Sequence, residues 1–156
     1  MIHQELSRSI IGAAMAVLNE LRPGLDEKLY ENAMVIELTS RGHEVAQQKE
    51  FPVHYAGRYI GKLIPDLIVD GLVIVDSKVI TEFHDTHTAQ MLGYLNITGL
   101  QLAILLDFKH AKLDWKRIVN EERNLTADHA DNTDIFKKTM TISLIPPRHP
   151  RYLRLK

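Results

Sequence analysis

Residues 63–80 read LIPDLIVDGLVIVDSKVI, and this stretch decides the fold. Two very apolar runs, Leu63 to Val69 and Leu72 to Ile80, are joined at Asp70-Gly71, a strong signal for a tight hairpin. Runs without polar alternation belong in the middle of a sheet that is covered on both faces. Asp66, Asp76 and Lys78 nevertheless sit inside them, and burying such charges costs several kcal/mol each, on the order estimated for ions in protein interiors, unless they are paired or hold a metal. Register decides whether the three can meet. A two-residue loop would pair Val69 with Leu72 and send Asp66 and Asp76 to opposite faces, because side chains alternate with period two. An odd-length loop, for example Val69-Asp70-Gly71 with Ile68 opposite Leu72, brings Asp66, Asp76 and Lys78 to one face.

Outward from the hairpin, the pattern alternates helices and strands. Leu6, Ile10, Ala14, Val17 and Leu21 recur at helical spacing, and Pro23-Gly24 closes them, so residues 5–22 are predicted as an amphipathic helix. A second helix is expected from Leu25 to Arg41, with Leu25, Leu29, Ala33 and Ile36 on one stripe and Glu27, Tyr30 and Met34 on another. Val45 to Tyr55 is an expected strand whose Pro52 suits a sheet edge, Ala56-Gly57-Arg58 a turn, and Tyr59 to Val69 the first hairpin strand. After the hairpin, residues 85–97 are expected as a helix closed by Gly99, and Gln101 to Phe108 as a buried strand. Leu113, Trp115 and Ile118 fit neither period, so 109–120 is ambiguous. The expected fold is α/β, a mixed central sheet flanked by helices, with a crossover helix leading into a strand parallel to its neighbour.

The composition sets limits. The chain has 156 residues, 45% hydrophobic and 25% charged, enough for one core without disulfides or a structural metal. It contains no cysteine, which excludes disulfide scaffolds, thiolate zinc sites and cysteine nucleophiles, and makes a reducing cytoplasm the expected location. Its 19 Lys and Arg stand against 20 Asp and Glu, so it is no polycation holding nucleic acid by bulk charge. Charged residues interrupt the apolar N-terminus, and no run of 18 apolar residues occurs, so neither secretion nor a membrane span is expected. The expected organisation is a domain over 1–120, an acidic linker or loop over 121–134, and an extension over 135–156. That extension holds a short alternating strand at Met140 to Leu144 and a tail with Arg148, Arg151, Arg154 and Lys156.

Pro65-Asp66 followed by Asp76-x-Lys78 on the next strand resembles the PD-(D/E)XK nuclease superfamily, with a restriction-endonuclease-like core. Gly24-x-x-Glu27-x-x-Tyr30 resembles the signature of its bacterial GxxExxY branch, and His87-x-x-Gln90 with Tyr94 is similar to that branch's segment after the catalytic strand. The resemblance runs from about Ile10 to Val119. One departure is Asp76, where the family usually has Glu, one methylene longer.

The resemblance implies a Mg2+-dependent nuclease, with Mn2+ as an alternative ion, that cuts nucleic acid, DNA being the expected polymer. Asp66 and Asp76, with the main-chain oxygen of Ser77, would be the metal ligands, and Lys78 would orient water or stabilise the transition state. Glu27 would reach the site as a water-mediated metal contact or a partner of Lys78; otherwise it is a solvated glutamate favoured by the helix dipole. His87, Gln90, Met91 and Tyr94 share a helix face, so Gln90 could position Lys78 and His87 could touch substrate. Tyr30 is expected to pack. His84 and His87 lack a third ligand in sequence, which argues against zinc. Lys109 and Lys112, with His110, Lys116 and Arg117, either track a phosphate backbone or form a solvated charged face. Two other readings stay open: a catalytically inactive nuclease-like module that binds nucleic acid or protein, and a homo-oligomer with a substrate channel between subunits.

Overall fold

The computed structural model describes residues 1–121. The expected acidic linker beyond Glu121, the expected strand at Met140 to Leu144 and the basic tail lie outside the described residues. Two helices come first, α1 (Gln4–Leu21) and α2 (Glu27–Ser40), followed by β1 (Val45–Gln47), β2 (Phe51–Tyr55), β3 (Arg58–Leu63), β4 (Leu67–Val69) and β5 (Val73–Lys78). Helix α3 (Asp85–Thr98), β6 (Leu102–Asp107) and β7 (Asp114–Val119) complete the described chain. A five-stranded sheet runs in the order β1-β4-β5-β6-β7, and β2 and β3 form a separate two-stranded sheet. Only β5 and β6 are parallel neighbours, joined by the α3 crossover; the other pairings are antiparallel. This is the mixed α/β architecture expected. Among the described residues, no helix is long and apolar enough to cross a membrane.

Each face of the main sheet carries its own core. Leu67, Val69, Val73, Val75, Leu102, Ile104 and Leu106 pack under α1 and α2 with Ile10, Val17, Tyr30, Met34 and Leu38. The alternate residues, Ile68, Ile74, Ala103, Leu105 and Ile118, pack against Met91 and Leu95 of α3. Both faces are covered, and β4, β5 and β6 are apolar almost throughout for that reason.

The structure departs from the sequence expectations in four places. The expected strand 45–55 splits at Gln48, whose φ of 57° turns the chain, so β1 joins the main sheet and β2 leaves it. Its continuation, 59–69, splits likewise at Ile64-Pro65-Asp66, where proline cannot donate to a ladder. In α2 the buried residues are Tyr30, Glu31, Met34 and Leu38, while Leu29 and Ile36 of the other stripe are exposed. The inward face is fixed by Tyr30, whose ring stacks on Phe108 at 4.6 Å and whose hydroxyl donates to the Arg22 carbonyl at 2.6 Å. Finally, the ambiguous 109–120 segment contains β7, which pairs antiparallel with β6.

The hairpin register is odd, as the one-face arrangement requires, but shifted by one residue. Val69 pairs with Val73 and Leu67 with Val75, leaving Asp70-Gly71-Leu72 as the loop. Asp70 and Gly71 both take left-handed φ (53° and 66°), and Leu72 donates its N–H to Val69 at 3.0 Å. Leu72 is the extra residue. The pairing ends at Leu67↔Val75, and Asp66 and Asp76 are the next residue on each side.

Candidate functional site

The site lies where β5 runs out beside β6 and Pro65-Asp66 leads into β4. Asp76 and Lys78 share the parity of Ile74 and so project on the α3 face, while Asp66, just ahead of β4, is close enough to interact with both Asp76 and Glu31. Asp76 is buried, with 4% of its surface exposed, and its Oδ1 lies 3.3 Å from Lys78 Nζ. Burial pushes its carboxyl up; Lys78 opposes that shift and Glu27 adds to it. Asp66 is pushed up to about 7, first by burial, then by the charges of Asp76 and Glu31, against the pull of Lys78. One lysine thus faces several carboxyl groups, and a shared proton or a cation is what such a cluster lacks.

Three more elements converge on this end. Gln90 of α3 accepts from Lys78 Nζ through Oε1 at 3.5 Å and donates through Nε2 to the Tyr94 hydroxyl at 3.3 Å. The Tyr94 phenol is itself pushed up, first by burial and then by Asp76. Spacing of four on α3 makes that pair neighbours. From α2, Glu27 Oε1 accepts the Val79 N–H at 3.0 Å, and from β6, Asp107 Oδ1 accepts the Ile80 N–H at 3.1 Å. Two carboxylates therefore hold the two peptide groups that follow Lys78. Phe108 N–H closes the clamp on the Lys78 carbonyl at 2.9 Å.

The sequence reading missed Glu31, although i,i+4 spacing from Glu27 puts it on the same inward face. Glu31 is buried and accepts from Lys28 at 2.5 Å, Gln47 at 2.7 Å and Gln48 at 3.0 Å, which aims its charge at Asp66 from a fixed position. It also missed Asp107, which pairs in register with Lys78 and whose Oδ2 is buried without a partner among the described residues. No local pattern marks Asp107, because an acid at a strand end reads as an ordinary turn residue.

The remaining candidates are placed elsewhere or engaged differently. Ser77 points to the α1–α2 face, and its buried Oγ has no partner among the described residues. His87 Nδ1 accepts the His84 N–H at 2.9 Å and so caps α3. Lys109 gives its backbone N–H to Asp107 at 3.1 Å with its side chain exposed, and Lys112 is exposed beside the end of α1.

A second cluster, Ser9, His43 and Asp70, has the connectivity of a nucleophilic triad, with Ser9 Oγ 2.6 Å from His43 Nε2 and His43 Nδ1 2.7 Å from Asp70 Oδ2. Ser9 lies within α1, where neighbouring N–H groups are spent on helical hydrogen bonds and leave no donor for an oxyanion. The cluster ties α1 to the hairpin turn.

The donor set fits a hard divalent ion. Among the described residues no group of three or more His, Cys, Asp or Glu is arranged to cage a metal. Two neighbouring carboxylates suit an ion such as Mg2+ that keeps several waters and takes one or two carboxylates from the protein.

A family profile for the PD-(D/E)XK nuclease superfamily matches residues 4–118, a span that includes every residue of the site. No curated protein matches the sequence. Among solved structures, the chain is similar to the crystal structure of SSO0001, with a TM-score of 0.49, 16% identity, and coverage of 94% of this chain and 76% of that one. It is also similar to an alkaline exonuclease from Laribacter hongkongensis, with a TM-score of 0.47, 13% identity, and coverage of 92% and 83%.

Proposed function

The chain belongs to the PD-(D/E)XK nuclease superfamily, and from that premise we propose that it hydrolyses phosphodiester bonds in nucleic acid, DNA being the expected polymer, at the open end of the β4–β5 hairpin. The observation that carries this reading is the meeting of Asp66 and Asp76 at the open end of the hairpin, with Lys78 Nζ 3.3 Å from Asp76. Asp66, Asp76 and the Ser77 main-chain oxygen would hold Mg2+ or Mn2+, which when bound supplies a Lewis acid for the phosphate and lowers the pKa of water.

The chain's own groups do the positioning. Lys78, anchored between Asp76 and Gln90, presents a cation where negative charge develops on the phosphate or where the attacking water sits. Gln90 is a positioning residue that fixes the lysine and is itself fixed by Tyr94. Glu27 acts through the backbone by holding Val79 N–H and so setting the direction of the chain that follows Lys78. The GxxExxY branch is the finer assignment. Its three residues have distinct tasks here: Gly24 takes a φ of 113° in the α1–α2 link, Glu27 braces β5, and Tyr30 closes that link by donating to Arg22.

A second reading, a nuclease-like module that binds without cutting, is favoured by one observation, the shorter Asp at position 76. Incubating the protein with single-stranded, duplex and branched DNA and with RNA, in Mg2+, Mn2+ or EDTA, separates the two. Metal-dependent cutting that is lost in Asp76→Asn and Lys78→Ala is the expected result. Binding without cutting on every substrate would favour the module.

A further inference from the structure

A groove of about 520 Å³ lies between the C-terminal half of α1 and the β6–β7 loop. Met15, Leu18 and Leu113 form its apolar wall, Trp115 stands at its edge with 42% of its surface exposed, and Arg22 and Lys112 are its charged lining residues. Among the described residues the lining contains two cations and no acid. The nearby Asp114 is turned onto its own backbone, accepting the Trp115 N–H at 2.9 Å. The volume suits a small ligand or part of a strand, not a folded partner.

Its position relates it to the hairpin site. Ser77 pairs with Leu106 and Leu106 with Trp115, so the Trp115 backbone is two strand spacings, about 10 Å, from β5, but Trp115 stands on the α1–α2 face of the sheet, opposite the α3 face on which Asp76 and Lys78 project. The α1–α2 link also runs from Arg22 in the groove to Glu27 at the site, five residues that span at most about 18 Å. An exposed indole beside two cations is the combination that grips a single strand: bases stack on the ring in a sequence-tolerant way, and cations hold the flanking phosphates.

We propose that this groove is a subsite for single-stranded nucleic acid, in which Trp115 stacks an unpaired base while Arg22 and Lys112 hold adjacent phosphates. The proposal rests on the nuclease reading for the direction of the strand, which must pass around the end of β5, past the α1–α2 link, to reach Asp76 and Lys78 on the other face.

The chain has a single tryptophan, so its fluorescence reports this groove alone. The full chain in EDTA, where cutting plays no part, is titrated with oligodeoxythymidylate, oligouridylate and a blunt DNA duplex. Quenching by either single strand, and weaker quenching by the duplex, is expected. Anisotropy of a labelled oligodeoxythymidylate should show affinity falling roughly 5- to 150-fold in Trp115→Ala and largely kept in Trp115→Phe, which retains a stacking face. Lys112→Ala should make the slope of log affinity against log salt shallower by about 0.7. Unquenched fluorescence, a Trp115→Ala variant that binds as the parent does, or equal quenching by the duplex would each overturn the subsite. Quenching that tracks protein concentration without oligonucleotide would overturn it too, by assigning the groove to a second copy. Cutting by a protein whose tryptophan stays unquenched would remove the groove and leave the nuclease, whereas quenching without cutting on any substrate would do the reverse.

Discussion

At the turn of the β4–β5 hairpin, Asp70 accepts the Glu44 N–H at 2.9 Å and bonds His43 at 2.7 Å, and these partners hold its carboxyl below the usual range against the desolvation that raises it. At the open end, four residues earlier, Asp66 meets Asp76 and Glu31 and is pushed up to about 7 by burial and by their charges. Both are aspartates of one hairpin. The turn acid has the donors it needs and contributes to folding, while the open-end acids have fewer donors than charges and are left in demand of a cation. That difference separates the structural carboxylate from the one proposed to bind a cation more sharply than burial alone, since Asp66 is not fully buried.

The largest expected effect breaks the comparison on the activity side. Asp76→Asn and Lys78→Ala should each lower metal-dependent cleavage by about 10²- to 10³-fold, the scale for removing one group that stabilises transition-state charge. Asp70→Asn should leave cleavage unchanged in the same assay. On the stability side the order reverses: Asp70→Ala should cost about 1.5–3 kcal/mol in urea denaturation, since it removes charge-assisted hydrogen bonds. Asp66→Asn in EDTA at a pH above 7 should gain about 1–2 kcal/mol, a figure reduced for solvent screening at a partly exposed group.

The same contrast sets opposite pH dependences. Folded Asp66 keeps its proton up to about 7, whereas the unfolded chain loses it near 3.8. Its contribution is complete below the unfolded value and is lost as pH rises through about 7, so stability in EDTA should fall over that window. For Asp70 the folded value is lowered, so its contribution is present above the unfolded value and is lost as pH falls through the folded one. Denaturation at a series of pH values should therefore show a shallower neutral limb in Asp66→Asn and a shallower acid limb in Asp70→Asn. The smallest effect is expected at Gln90, whose side chain is exposed: Gln90→Met should slow cleavage about tenfold while shifting stability by no more than about 0.5 kcal/mol.

Much of this was legible in the residues. Three charges in two apolar runs marked the hairpin, and the requirement that they share a face selected an odd loop. The exact register was not legible, because Asp70-Gly71 is compatible with several loop lengths, and the choice depends on the contacts of Asp70 with His43 and Glu44, 27 and 26 residues away. The same limit applies to α2. Its two stripes are similarly apolar, and Tyr30 wins because Phe108 awaits it from a distant strand end and the Arg22 carbonyl from the adjoining link. Glu31 was readable from its spacing to Glu27, whereas Asp107 depends on the parallel β5–β6 register and was not.

The central claim is that the open end is built for a cation. It is tested most directly by thermal unfolding of the parent and of the double variant Asp66→Asn, Asp76→Asn, in EDTA and in Mg2+, at a pH above 7. The parent midpoint should rise when Mg2+ replaces EDTA, and go on rising with its concentration as binding to the folded state requires. The double variant should melt above the parent in EDTA and ignore Mg2+. A parent that does not respond to the cation, or a double variant that still does, would contradict the account.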